Sequence, residues 1–276
     1  MSTVGSDSGA GLLVVGGGAM GGAVLAAGLR AGVLTAERTA VVEPDAGKHA
    51  GLGVRCFVDG AAGAAWLATQ GAGAQVLLAV KPQMLADAAA GLGGAANGRV
   101  VISILAGTPG QRVRAALAGA RVVRAMPNLA VRVGRGCTAL CASAGAAPGD
   151  DALARRLFGA AGTVVEVEEA LMDAFTALAG SGPAYVFYLA EAMTRAAGEM
   201  GMDPRVADAV VRETIVGAAA LLAESKDAPG VLRAQVTSRG GTTAAATRVL
   251  DEAGVMEAWV RAIVAARDRG RELAGG

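Results

Sequence analysis

Six consecutive residues, Gly16-Gly17-Gly18-Ala19-Met20-Gly21, constrain this chain more than any other segment. They follow a short apolar run, Leu12 to Val15, and precede Ala23 to Leu29, a stretch of good helix formers. Apolar run, glycine turn and helix former in that order predict a strand that passes into a helix across a tight bend. Gly16, Gly18 and Gly21 have the spacing G-x-G-x-x-G. In that spacing the first glycine permits the turn, the second lets the backbone approach a pyrophosphate, and the third lets the helix lie close to the strand. A chain with 42 glycines can produce such spacing by accident, as an ordinary tight loop. Its placement between a strand and a helix favours dinucleotide binding.

The same texture recurs downstream. Thr39 to Val42, Gly53 to Phe57, Val76 to Val80, Val100 to Ile104 and Arg121 to Arg124 are short apolar runs, separated by alanine-rich stretches such as Arg112 to Leu117. That alternation predicts an α/β domain over residues 11–167, a Rossmann-like, doubly wound parallel sheet covered on both faces. After Val167 the strand pattern stops. Helices are expected over Met172 to Leu178, Ala184 to Ala197, Pro204 to Ala223, Val231 to Gln235, Thr243 to Gly254 and Val255 to Arg269, giving an all-helical second domain over residues 168–276. Residues 1–10 read as a flexible N-terminal extension, and the tail from Asp268 as frayed.

Composition narrows the function classes. Lys and Arg total 25 against 24 Asp and Glu, with no long basic run, so nothing marks a nucleic-acid surface. Cys56, Cys137 and Cys141 form no disulfide framework or zinc-ligand pair, so no metal is expected and a reducing cytoplasm fits. The apolar start of the chain is broken by glycines and reads as neither signal peptide nor membrane span. Aromatic residues make up only 3% of the chain, so few large side chains fill the core and burial in an oligomer would help. The helical half is the expected surface for self-association.

Glu43 follows the second strand at the distance where an acidic side chain accepts hydrogen bonds from the adenosine ribose. A 2′-phosphate would be repelled there, so NADH is favoured over NADPH, although Arg38 or Lys48 can fold toward a phosphate. Asp45 is a rival for the same role. The ends of later strands line the same crevice in open parallel sheets, which adds Val80, Lys81, Pro82, Ala106, Gly107, Met126 and Asn128 to Gly16, Gly18, Ala19, Met20 and Gly21 as cofactor neighbours. Lys81 brings a charge that could assist an imine; it could equally contact phosphate or ribose. Asn128 could orient nicotinamide or substrate, or cap a loop. The single histidine, His49, is expected to dress the surface.

Two clusters of small residues stand out in the helical half, Thr176 to Tyr185 and Val236 to Thr243. Amide and hydroxyl donors at a helix start suit a carboxylate ligand, though Ser and Thr there can also serve as plain caps.

Taken in order, the glycine loop, Val80-Lys81-Pro82, Arg124-Ala125-Met126-Pro127-Asn128, Gly180-Ser181-Gly182-Pro183-Ala184-Tyr185-Val186-Phe187, Pro229-Gly230 and Ser238-Arg239-Gly240-Gly241-Thr242-Thr243 resemble pyrroline-5-carboxylate reductase. The likeness spans roughly Leu12 to Trp259. It implies NAD(P)H-dependent reduction of the imine carbon of 1-pyrroline-5-carboxylate to L-proline. In that family the Ser-Pro-Gly-Gly-Thr-Thr segment forms much of the carboxylate pocket. Carried over, Ser238, Gly240, Gly241 and Thr242 would cradle the carboxylate and Thr243 would bond to the ring nitrogen. Thr243, Lys81 and Asn128 are then the candidate catalytic residues. The family also assembles through its C-terminal helices, as dimers that join in rings of five.

Three positions depart from the family pattern: Arg239 stands where proline is usual, Leu129-Ala130 replaces Thr-Pro, and Ala19 replaces the commoner Asn. A different cyclic imine and a non-catalytic nucleotide sensor are the competing readings. The β-hydroxyacid dehydrogenases share the layout but use a lysine in the first helix of the second domain, and Ala184 to Ala197 contains none.

Overall fold

The computed structural model describes residues 11–275. Its first half is organised by strands that are apolar on both faces. β1 (Leu12–Val15), β2 (Thr39–Val42) and β5 (Val100–Ser103) are buried along their whole length, as a sheet covered by helices on two sides requires. Alternate residues serve different cores. Leu12 and Val14 pack with Val24 and Leu25 of α1 (Ala19–Arg30) and with Leu157 and Phe158 of α5 (Ala152–Gly159). Leu13 and Val15 face the opposite layer, with Leu67 of α2 (Gly60–Thr69), Leu85 and Leu92 of α3 (Leu85–Leu92) and Val113 of α4 (Gly110–Ala116).

The remaining strands are β3 (Arg55–Phe57), β4 (Gln75–Leu78), β6 (Arg121–Met126), β7 (Gly136–Ala142) and β8 (Gly162–Glu166), and the eight-stranded order is β3-β2-β1-β4-β5-β6-β7-β8. Strand order reverses at β1, which pairs in parallel with both β2 and β4, so Val15 lies beside Val42 on one side and Leu78 on the other. A crevice opens at such a switch point beyond the strand ends.

The sheet is not parallel throughout. β7 runs antiparallel to β6, and β8 runs parallel to β7. The reason lies in the connection: β6 and β7 are joined by the short stretch Pro127 to Arg135 with its one 3₁₀ segment, Leu129–Val133, and parallel pairing needs a longer crossover, on the order of a dozen residues or more.

Beyond Glu166 the chain is helical. α6 (Met172–Phe175) continues into a π-helical turn, Thr176–Gly180. Then follow α7 (Gly182–Glu199), α8 (Pro204–Glu224), α9 (Pro229–Gln235), α10 (Thr242–Glu252) and α11 (Val255–Gly275). Pro204 starts α8 where its missing N–H costs nothing, and Asp203 accepts from the N–H groups of Arg205 and Val206. By contacts, one unit reaches to Ser181 and takes back the chain from Ala266, and Gly182–Ala265 forms the other. The tail from Asp268, expected to fray, is helical through Gly275, with Arg269 paired to Glu272 across one turn. The extension at residues 1–10 lies outside the described residues.

In the second unit little is buried. α7 buries only Ala197, α8 buries Ala207 and Val211, and α9 and α10 bury nothing. Phe187, Tyr188, Val216 and Leu221 are exposed. The rings of Tyr185 and Tyr188 both meet that of Trp259 edge to face, at centroid distances of 5.8 and 6.4 Å, which ties α7 to α11.

Candidate functional site

Each fingerprint glycine has its own reason to be glycine. Gly16 holds φ at +107°, and a Cβ there would lie 2.6 Å from the Ala79 carbonyl oxygen at the end of β4. A Cβ on Gly21 would run into the Gly16 carbonyl oxygen, so α1 can lie this close to β1 only without one. Gly18 is the contrary case: a Cβ there meets no protein atom within 4 Å. α1 has no capping side chain and no acidic residue in its first turn, where Ala19 and Met20 sit. Open space over Gly18 and a helix start with no capping side chain and no acidic residue in its own first turn fit the pyrophosphate of a dinucleotide.

Glu43 stands at the end of β2 as expected, yet it is 7% exposed and already bonded. Its Oε2 accepts from the N–H of Gly17 at 3.0 Å, and its Oε1 accepts from the N–H of Asp45 at 3.1 Å. Lys48 Nζ lies 3.5 Å from Oε1 and 3.3 Å from a carboxylate oxygen of Asp45. The Asp45 pKa is lowered, first by the Gly47 N–H and then by Lys48. That of Lys48 is raised by its bonds and charge interactions with Asp45 and Glu43. His49 has its Nε2 2.7 Å from the Glu43 carbonyl oxygen, which ties the loop back to the strand.

A cavity of about 510 Å³ opens at the switch point, and Gly16, Gly18, Glu43, Val80 and Lys81 all line it. Lys81 is exposed there, and Pro82 begins the 3₁₀ turn that follows. Ala106 and Gly107 follow β5, with Ala106 exposed, but neither lines this cavity. Met126 ends β6, where its Cε is 3.2 Å from the position a Cβ on Gly180 would take.

Asn128 is 9% exposed and uses both ends of its amide on backbone. Nδ2 donates to Ala179 O at 3.0 Å, and Oδ1 accepts from Cys137 N–H at 3.2 Å. It therefore joins the end of β6, the start of β7 and the π-helical turn.

Sequence reasoning missed Glu169, whose neighbourhood reads only as a domain boundary. Its Oε1 accepts from the Gly110 N–H at 2.7 Å and from Arg124 at 3.2 Å, while its Oε2 accepts from Ser143 Oγ at 2.5 Å. Burial pushes its pKa up, but these three partners outweigh burial and hold it below the ordinary carboxylate value. One signal was available: Arg124 lies in the apolar run of β6, and a buried cation requires a carboxylate partner.

In the second unit, Ser238, Gly240, Gly241, Thr242 and Thr243 come together at one turn and helix start. The Gly241 N–H donates to Ser238 O at 3.0 Å, and Gly240 takes φ +73°. Gly241 is the extended residue ahead of α10, where a Cβ would strike Ser238 Oγ. α10 then starts at Thr242 with no capping side chain and no acidic residue in its first turn. Ser238, Arg239 and Thr242 are exposed and Thr243 is half-buried. The turn thus offers hydroxyls and helix-start amides together, a donor set suited to a carboxylate.

Among the described residues no group of three or more His, Cys, Asp or Glu side chains could hold a metal ion, and no helix is long and apolar enough to cross a membrane.

Residues 169–273 match the family described as pyrroline-5-carboxylate reductase dimerisation, which covers the helices whose apolar side chains stay exposed in the single chain. Residues 11–107 match the family described as NADP oxidoreductase, coenzyme F420-dependent. A pyrroline-5-carboxylate reductase of Methanosarcina acetivorans is 38% identical over 265 residues, covering 94% of this chain and 96% of that one. The structure of a pyrroline-5-carboxylate reductase from Coxiella burnetii superposes with a TM-score of 0.84 at 31% identity, over 96% of this chain and 98% of its own. The Plasmodium falciparum pyrroline carboxylate reductase, crystallised with NADP bound, gives a TM-score of 0.86 at 22% identity, over the same shares of the two chains.

Proposed function

The chain belongs to the pyrroline-5-carboxylate reductase family, and on that premise we propose that it reduces 1-pyrroline-5-carboxylate to L-proline, the last step of proline synthesis. Bound NAD(P)H supplies the hydride to the imine carbon. The cofactor side of this reading is carried by the glycine loop, whose one sterically unconstrained glycine, Gly18, opens over an uncapped helix start, and the substrate side by the donor turn from Ser238 to Thr243 at the uncapped start of α10.

An iminium is already electrophilic, so the residues mainly position the reactants and exclude water. Gly18, Ala19 and Met20 bind the pyrophosphate through backbone amides. Val80, Lys81 and Pro82 border the nucleotide, with the Lys81 charge at the cavity. Ala106, Gly107 and Met126 border its nicotinamide end. Asn128, bonded at both ends to backbone, acts there as a positioning residue.

Ser238, Gly240, Gly241 and Thr242 hold the substrate carboxylate by hydroxyl and amide donors. Thr243 bonds to the ring nitrogen; a hydroxyl is too weak an acid to serve alone, so it positions the nitrogen or relays a proton from water. Arg239 adds a cation beside that pocket.

Both nicotinamide cofactors are used, with NADH favoured because Glu43 places a carboxylate where a 2′-phosphate would lie. The enzyme works in the cytoplasm, as a dimer or as a pentamer of dimers built through its C-terminal helices.

The test is the initial rate of NADH and NADPH oxidation by purified protein with 1-pyrroline-5-carboxylate, with proline identified as product. Turnover is expected with both. Dinucleotide binding without turnover would overturn the substrate assignment and point to another cyclic imine or to a sensor.

A further inference from the structure

Glu169 is a half-buried carboxylate that the reaction above does not use. Arg124, its ion-pair partner at 3.2 Å, is 6% exposed and lies on the same face of β6 as Met126. Its Oε1 also accepts the Gly110 N–H at 2.7 Å, from a residue 59 positions away in the chain.

Gly110 closes the segment 104–109, which leaves β5 and carries Ala106 and Gly107. The sheet fixes the upstream end, where the Ile104 N–H donates to Leu78 O at 3.0 Å. The downstream end is the start of α4, which has no capping side chain, so the Gly110 N–H needs an acceptor from elsewhere. Glu169 supplies it. A Cβ on Gly110 would strike Ser143 Oγ, which donates to the other Glu169 oxygen, so α4 starts packed against this network. Between the two ends Ala106 is exposed, Gly107 takes φ +60°, and Thr108 Oγ1 donates back to Ala106 O at 3.2 Å.

We propose that Glu169 is a positioning residue for hydride transfer: by accepting the Gly110 N–H it fixes the segment 104–109 and so sets where Ala106 and Gly107 meet the nicotinamide. This rests on the placement of those two residues at the nicotinamide end and deepens it. The chain that follows Glu169 is tied once more, where Ala179 O accepts from Asn128 Nδ2 at 3.0 Å. Hydride transfer is steep in geometry, and a displacement of about 1 Å can cost on the order of 100-fold in rate. The adenosine end lies with Glu43 and Gly18, so the effect of Glu169 falls on one end of the cofactor.

The bond to Gly110 and the charge beside Arg124 can be separated. Glu169→Gln keeps an oxygen for the Gly110 N–H but leaves Arg124 buried without a countercharge, whereas Glu169→Ala removes both. Rate should follow the hydrogen bond and stability the charge.

The test compares the parent with both variants, each made alone and with Arg124→Met, a background that leaves no cation unpaired if Glu169→Ala alone does not fold. Asp150→Asn, which breaks the pair of Arg121 with Asp150 on the same strand, is the control for plain destabilisation. Glu169→Ala is expected to lower kcat about ten-fold, Glu169→Gln to hold it within about three-fold of its background, and Asp150→Asn within about two-fold of the parent. Calorimetric titration with NADPH and with 5′-AMP gives a second readout: Glu169→Ala should weaken NADPH about five-fold and leave 5′-AMP within about two-fold. A Glu169→Ala enzyme as fast as its background, a Glu169→Gln enzyme as slow as Glu169→Ala, or equal losses for NADPH and 5′-AMP would overturn the proposal. The titrations need no imine, so they remain decisive even if 1-pyrroline-5-carboxylate proves not to be the substrate.

Discussion

The Glu43 carboxylate lies 3.0 Å from the backbone N–H of Gly17, so one hydrogen bond ties the end of β2 to the turn after β1. The same side chain also takes the N–H of Asp45. Glu43→Ala leaves both donors without that acceptor and should cost about 1–3 kcal/mol of stability, while shifting preference from NADH toward NADPH because the carboxylate that repels a 2′-phosphate is gone. Glu43→Gln, which keeps one accepting oxygen, should lose less. Denaturant titration beside steady-state kinetics measures both effects; a Glu43→Ala protein as stable as the parent would remove the latch role.

Gly18 and Gly21 separate binding from folding. Gly18→Ala meets no protein atom within 4 Å, and should change stability by less than about 0.5 kcal/mol, yet it fills space reserved for the cofactor. A rise in dinucleotide KM of roughly ten-fold is expected, as for a lost close approach. Gly21→Ala meets the Gly16 carbonyl and should cost about 1–3 kcal/mol through overpacking. Thermal and denaturant melts of the two variants decide the matter: equal destabilisation of both would contradict it.

Glu169 makes stability depend on acid. Its folded pKa lies below the ordinary carboxylate value, so its contribution is complete above the unfolded pKa and is lost as pH falls through the lower, folded one. Below that ordinary value, therefore, the stability gap between parent and Glu169→Gln should narrow as pH drops, and above about pH 6 it should be flat. Denaturant midpoints from neutral pH to about pH 3 test this. A gap that widened toward acid would mean that burial, not the Gly110, Ser143 and Arg124 partners, governs this carboxylate.

Thr243 should act on turnover rather than on cofactor binding. Thr243→Val is expected to lower kcat by roughly ten-fold or more, with dinucleotide KM within about two-fold, and Thr243→Ser to restore most of the rate. Rates of Thr243→Ser as low as those of Thr243→Val would show that packing of the methyl group, not the hydroxyl, matters at this position.

What could be read in advance followed from local rules. The β1 run, the glycine turn and the six-strand alternation up to β6 are written in consecutive residues, and so is the proline-led start of α8, whereas α9, expected from Val231, begins two residues earlier at Pro229. β7, with the sequence GCTALCA, lacks a β-branched run and is a strand because β6 and β8 flank it; β8, half-exposed at the sheet edge, lacks the continuous apolar run of the inner strands. The residues of the candidate site were legible by type, but their bonds were not. Nothing near Glu43 in the sequence says that Gly17 occupies its carboxylate, and Asn128 finds Ala179 only 51 positions further along the chain.

The 21-residue helix α8 buries just two of its side chains, Ala207 and Val211. A segment so thinly buried draws its permanence from company, and dilution then becomes a form of denaturation. Its melting point should climb with subunit concentration, and newly made chains in a sparse cell would spend their first moments waiting for a partner before their second unit is secure.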